Sequence, residues 1–559
     1  MAAATQDYRV KELLRVGDSG FGKRDNLLSL WQEIAENFYV ERADFTSSRS
    51  MGKNFADNLS ASYPILARRD LGNMFSSMLR PRDRKWFSMK AGHDDSVDNE
   101  NDRWLEWATE LQRRAMYDRV SGFVRATKEG DHDFAAFGQA VISTQMNWRD
   151  TALRYKCHHL RDTVWFEDHT GEVERVDYKW KPTIHQLMQM FGEKNLHPKM
   201  KIAYAKDPYM EVECRHTVVP SEQYESSQKE YSSDRPKRYK QPFVSVYMDV
   251  ENCHILEEVG SWTRIYTVPR WQTVSGSQYA YSPATVAALP DARLFQSIAL
   301  TILEAGEKYT NPPLIGVQEA IRGDVNLFAG GITYVDEKYD ERLGEVLRPL
   351  YQDRGGFDAG IKIQEQVRAA IHESFFLNKI NLPNRGSAEM TALETAQRVQ
   401  EYVRDALPLF EPAEQDYNAS LCEITFETLS RADGFGDPNN IPQGLRGKDI
   451  KFNFVSPLHN AEDSLKGQRF GQAQQMIAQA MALDPSSASL VDIRFALRDA
   501  MKGVGVPSNW INSEEVVNQK DQAAAEEAAV QKTMALMQGG ADIAKTTGEA
   551  ATSFSSLPQ

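Results

Sequence analysis

The segment "GDSGFGKR", from Gly17 to Arg24, sets three glycines and a lysine at the spacing of a phosphate-binding loop. In such a loop backbone N–H groups cradle phosphates, the lysine reaches the terminal ones, and a closing Ser or Thr holds Mg²⁺. Here the closing residue is Arg24, and the preceding "RVKELLRV" is a poor strand. The stretch is therefore expected to be a flexible, glycine-rich entry to the first helix. Cys157-His158-His159, His93-Asp94 and His132-Asp133 supply the ligand types of a metal phosphohydrolase. Adjacent residues of a strand point to opposite faces, so Cys157 and His158 are not expected to share an ion. No G-x-S-x-G elbow, no H-E-x-x-H and no G-x-G-x-x-G behind a convincing strand occurs. The expectation is no catalysis, no metal and no cofactor.

Two basic clusters, "RPRDRKWFSMK" and "RPKRYK", lie among acidic neighbours and read as solvated loop or strand faces. A third short stretch, "KINLPNRGSAEMTALE" from Lys379 to Glu394, carries Pro, Gly, two Asn and an Arg between two helical segments. It holds no nucleophile and no ligand set.

The elements that must position these residues follow from periodicity. Leu27, Leu30, Trp31, Ile34 and Phe38 mark one helix, and Leu71, Met74, Phe75, Met78 and Leu79 a second that Pro81 ends. Trp104, Trp107, Leu111 and Ala115 suggest a third, and "GDHDFAAFGQAVISTQMNW" a helix running into a strand. From Leu153 to Trp271, β-branched and aromatic runs separated by Gly and Pro predict a mixed α/β region.

Ser282-Pro283 then opens a helix that Pro290 re-starts and that carries Leu294, Phe295, Ile298, Ile302 and Ala305. After a β-rich insert, a helix over 356–380 sets Ile363, Val367, Ile371 and Phe375 at steps of four. Thr391-x-x-Glu394 caps another, with Leu393, Ala396, Val399, Val403 and Ala406 along one face until Pro408 and Pro412 break it. Helical stripes follow near the C-terminus, and the Ser/Thr/Gly-rich tail reads as disordered. The fold class is mixed α+β, predominantly helical.

The chain has 559 residues, 26% of them charged, with a formal net charge of −14. Nucleic acid therefore meets net repulsion, which excludes a tight, enveloping DNA clamp. Four scattered cysteines make no C-x-x-C pair and fit a reducing compartment. No apolar run approaches the ~20 residues of a bilayer span, so no membrane is expected.

Further resemblance lies in "RWQTVSGSQYAYSPATVAALPDARLFQSIALTILEAGEKYTNPPLIG", "LARRDLGNMFSSMLRPRDRKWFSM", "IHESFFLNKINL", "MTALETAQRVQE" and "FVSPLHNAE". In this order, spanning about Leu30 to Val517, the chain resembles the head-to-tail connector (portal) proteins of short-tailed bacteriophages. It departs at Leu407-Pro408-Leu409-Phe410, where a Leu-Gly-Pro type of break is expected. The resemblance implies a portal-type subunit of a dodecameric ring at a capsid vertex. Its regions would be a wing (1–281), a stem helix (282–311), a clip (312–355) and a second stem helix (356–380). A tunnel loop (381–389), a kinked helix with return strands of the wing (390–457), crown helices (458–538) and the tail (539–559) would follow. Lys379, Asn384 and Arg385 would face double-stranded DNA in the channel. The implied partners are the major capsid and scaffolding proteins, the terminase large subunit, a tail adaptor and internal core proteins. The implied locations are the virion and, during assembly, the host cytoplasm. A packaging-type ATPase using Gly17 to Arg24, or a metal-dependent phosphohydrolase, is the alternative.

Overall fold

The computed structural model describes residues 2–47, 59–82, 85–91, 99–147, 151–226, 240–310, 314–316, 347–349, 356–380, 411–437, 441–446 and 450–454, with a few isolated positions and short helical pieces besides. It divides into two units, Met1–Trp86 with Gln112–Gly434, and Phe87–Leu111 with Phe435–Gln559.

In chain order the helices are α1 (Ala2–Lys23), α2 (Asp25–Phe38), α3 (Tyr63–Met74), α4 (Asn99–Met116), α5 (Phe123–Phe137), α6 (Ile184–Phe191), α7 (Pro198–Lys206), α8 (Ser221–Ser226), α9 (Pro283–Thr310), α10 (Gly356–Ser374), α11 (Leu377–Ile380) and α12 (Ser420–Arg431). The strands are β1 (Phe87–Ala91), β2 (Val141–Met146), β3 (Leu153–His158), β4 (Thr163–Glu167), β5 (Val173–Trp180), β6 (Cys214–Pro220), β7 (Phe243–Asp249), β8 (His254–Ser261), β9 (Tyr266–Thr267), β10 (Leu314–Gly316), β11 (Leu347–Pro349) and β12 (Ile450–Phe454).

The first unit is built on an antiparallel five-stranded sheet in the order β4-β5-β6-β7-β8 and a three-stranded sheet in the order β3-β2-β9. Its helical core is aromatic. Trp31 of α2 meets Phe45, Phe137 and Tyr279 at 5.6 to 6.4 Å, and Phe134 of α5 stacks on Trp271 at 5.3 Å. Gly138 ends α5 at φ +73°, where a Cβ would lie 2.1 Å from the Tyr281 backbone. Only glycine allows that close crossing.

In the second unit β1 pairs antiparallel with β12, Phe87 opposite Phe454. There Leu105 and Ala108 of α4 are buried, whereas Trp107 is 47% exposed. Trp104 and Trp107 cluster with Phe435 at 6.1 and 6.5 Å, so the predicted aromatic stripe is a surface cluster beside the buried one.

Two predicted boundaries move. Pro290 does not re-start a helix: α9 runs unbroken for 28 residues, about 42 Å. Pro290 removes one backbone donor, yet buried Ala288, Leu289 and Ala292 on either side hold the helix against its neighbours. The segment 356–380 is in turn two helices, because Phe376 takes a left-handed φ of +57° between α10 and α11.

Candidate functional site

Gly17 to Lys23 of the loop-like "GDSGFGKR" lie inside α1, not in a flexible entry to the first helix, and Arg24 is the turn between α1 and α2. Their glycines serve packing. A Cβ on Gly17 would fall 2.9 Å from Arg215 Nη1 and 3.0 Å from Asp177 Oδ1, and one on Gly20 would fall 2.6 Å from the Phe166 ring. Gly17 and Gly20, one turn apart, thus let α1 approach the five-stranded sheet. Strand arginines then hold it: Arg175 donates to the Leu13 carbonyl at 2.8 Å, and Arg215 to the Leu14 carbonyl at 3.2 Å and to Asp18 at 2.8 Å.

Arg24, standing where a phosphate loop has Ser or Thr, is buried and donates to the carbonyls of Leu160, Arg161 and Thr163. Burial brings its pKa down to about 10. Gly20→Val should therefore destabilise the protein by about 1–3 kcal/mol through overpacking. Lys23→Ala, at an exposed position, should stay within about 0.5 kcal/mol of wild type. Urea unfolding curves measure both, and neither variant nor the parent should turn over ATP.

The histidine groupings disperse. Cys157 donates to Asp133 at 3.6 Å, His158 bonds Ser143 Oγ at 2.8 Å, and His159 Nε2 meets Asp44 Oδ1 at 2.7 Å. Asp133 is engaged by Arg42 through two bonds of 2.9 and 2.7 Å. His132 packs over Gly72 and edge-on to Tyr39 at 6.1 Å, where burial first, then Arg68, Lys128 and Arg69, lower its pKa to about 4. His93 and Asp94 lie outside the described residues. Among the described residues no group of three His, Cys, Asp or Glu could hold a metal ion.

The basic cluster beginning at Arg80 is expected from the sequence to be solvated, but the structure buries its first residue. Arg80 is buried, with its guanidinium paired to Asp131, bonded to Asn418 at 2.7 Å and set 4.6 Å from the Tyr417 ring. Of the second basic cluster, only Lys240 is described.

The long helices α9 and α10 pack against each other. A Cβ on Gly360 would fall 3.4 Å from Ile302 and one on Gly306 3.9 Å from Phe357, so the end of α9 lies against the start of α10. Phe295, Val367, Ile371 and Phe375 are buried as the stripes predict. Leu294 and Ile363 are not: each is 47% exposed. With Leu300 at 51%, Leu303 at 56% and Tyr309 at 67%, they leave apolar surface directed outward. The sequence signal for this surface was present, since α9 is apolar on more faces than one core contact can cover. By length and composition it is the one described helix able to cross a bilayer, a property the sequence reading did not find. Its first half, however, is packed against protein, with Asp291 and Arg293 inside it. Lys379 falls in α11, and Asn384 and Arg385 lie outside the described residues.

Buried charges thus serve as internal fasteners, and apolar helix surface is left open. The comparisons give the family. The model of the bacteriophage head to tail connecting proteins matches residues 13–511. The chain is 25% identical over 541 residues to the "Probable portal protein" of Bordetella phage BPP-1, covering 95% of this chain and 94% of the relative. It is 20% identical over 560 residues to the "Portal protein" of Salmonella phage epsilon15, covering 99% and 97%. A solved "Virion of native gene transfer agent (GTA) particle" aligns over 74% of this chain and 86% of its own with a TM-score of 0.34 and 9% identity, too distant to bear on the fold. The chain belongs to the bacteriophage head to tail connecting protein family.

Proposed function

We propose that this chain is a portal protein, a structural and not an enzymatic component that forms a ring at one capsid vertex. The ring, a dodecamer in this reading, is the channel for DNA packaging and ejection. The family match along nearly the whole chain and the names of the relatives support it. The observation that carries the assembly step is the outward apolar surface of α9, which in a ring is covered by the next subunit's stem.

In this reading α9 and α10 are the stem and the 312–355 segment, with β10 antiparallel to β11, is the clip that receives the terminase large subunit and later the tail adaptor. Capsid, scaffolding and internal core proteins contact the outer and upper faces. The loop 381–389 lies in the channel, where Lys379, Asn384 and Arg385 touch phosphates weakly and without sequence preference. Exposed charge contacts are worth about 1 kcal/mol or less, so the duplex can slide past them.

Leu300→Asp with Leu303→Asp should convert rings to monomers, because carboxylates would be buried at each junction. Negative-stain images and solution mass read the result; rings that persist would remove α9 from the interface, and a wild type without rings would sink the portal reading. Deleting Asn384 to Ser387 should keep the ring and lower the DNA retained per head, with Arg385→Ala a milder form. Full heads from the deletion would show that the loop plays no part in the channel.

A further inference from the structure

We propose that the module carrying α6 and α7 is a docking surface for an acidic protein segment that brings apolar side chains of its own. The module lies between β5 and β6 and packs on the sheet through a cluster in which Ile184, Leu187, Phe191 and Met200 meet Cys214 and Leu256. A complete capping box, Thr183 with Gln186, fixes the start of α6. The module is seated on the five-stranded sheet through Cys214 of β6 and Leu256 of β8.

Its charge runs against that of the whole chain. From Lys194 to Lys206 there are four lysines and no acidic residue, in a protein of net charge −14. Lys181, outside this stretch, is spent on Glu213 at 2.8 Å, whereas Lys194, Lys199, Lys201 and Lys206 take part in no ion pair among the described residues. Glu193 and Asp207 bracket the run without neutralising it, and Asp207 is engaged as acceptor for the Tyr209 N–H at 2.9 Å.

Apolar groups stand among these lysines. Lys199, Ile202 and Lys206 are exposed and spaced to share one side of α7, and Ile202 is 63% exposed. Tyr209 is 72% exposed and held in place, its ring 5.9 Å from His185 and its turn bonded to α6 through His185 N–H to the Pro208 carbonyl at 2.9 Å. Pre-positioned apolar anchors with a charged rim are the anatomy of a protein interface. Duplex DNA would satisfy the lysines but leave Ile202 and Tyr209 against water. A membrane would need a broader apolar face than α7 offers, since Met200 faces inward and Ile202 stands among lysines.

The test uses the full-length protein and fluorescence anisotropy with a labelled peptide of glutamate and leucine. Polyglutamate, a short DNA duplex and phosphatidylglycerol vesicles serve as competitors. The peptide should bind more tightly than any competitor. Its affinity should fall about tenfold or more in Lys199→Glu/Lys206→Glu and, separately, in Ile202→Ser. All these positions are at the surface, so thermal midpoints should not move. No peptide binding, tighter binding of duplex or vesicles, or an Ile202→Ser variant that binds normally would each overturn the proposal.

Discussion

Arg80→Met should destabilise the first unit by about 3–5 kcal/mol, the cost of leaving a buried carboxylate without its partner. Asp131 is fully buried on α5, and Arg80 lies just after the π-turn that follows α3. Asn418 and Tyr417, far along the chain, complete the shell around the guanidinium. Burial alone would lower the Arg80 pKa, but the Asp131 carboxylate and Tyr417 outweigh it and hold the side chain charged. The pair thus pins three remote segments at one point. Arg80→Met/Asp131→Leu should recover most of the loss, since an apolar pair of similar volume removes both desolvated charges. Urea midpoints for the three proteins decide it; a single variant losing less than about 1 kcal/mol would mean that Asp131 is neutralised by other means.

This fastener shows what the sequence could and could not reveal. Helical stripes placed α2, α3 and α5 because each buries one face, and period follows from burial. The strands β4, β6, β7 and β8 were legible for the same reason, as β-branched runs cut by Gly and Pro. Arg80, Arg24, Arg175 and Arg215 were not, because a buried arginine and a solvated one look alike until the carbonyl or carboxylate that receives it is located. Gly17 and Gly20 misled in the same way: glycine spacing reports close approach, and only the fold says whether to a phosphate or to Phe166. Of the candidate site, the two long helices α9 and α10 were read with nearly their true ends. Leu294 and Ile363 fall in the predicted stripes yet face outward, since periodicity identifies an apolar face without saying which chain covers it. The stretch 381–389 reads from the sequence only as a break between predicted helices, by its Pro, Gly and Asn.

Acid should unfold the first unit well before its ordinary carboxylates protonate. His216 on β6 is buried between Tyr266 Oη at 2.5 Å and Ser245 Oγ at 2.8 Å, stacked on Tyr247 at 3.9 Å, and burial takes its pKa down to about 3. His158 on β3 lies 5.6 Å from the same Tyr266; burial first, then Lys156, His216 and Arg42, holds its pKa well below the usual value. The two imidazoles therefore sit where the three-stranded and five-stranded sheets meet, neutral when folded. An unfolded chain takes up a proton at each below about pH 6.5, whereas the folded chain does not until far lower, so stability is complete above that pH and falls as pH drops. Each histidine should contribute a slope of about 1.4 kcal/mol per pH unit below its unfolded pKa, and His132 adds a third down to about 4. Urea unfolding at pH 7, 6 and 5 reads the combined slope. His216→Phe keeps the stack on Tyr247, leaves two hydroxyls unpaired and lowers stability at every pH, but it should remove one proton's share of the slope. A wild-type profile flat from pH 7 to 5, or an unchanged slope in the variant, would mean that the buried histidines take up protons without opening the contact between the sheets.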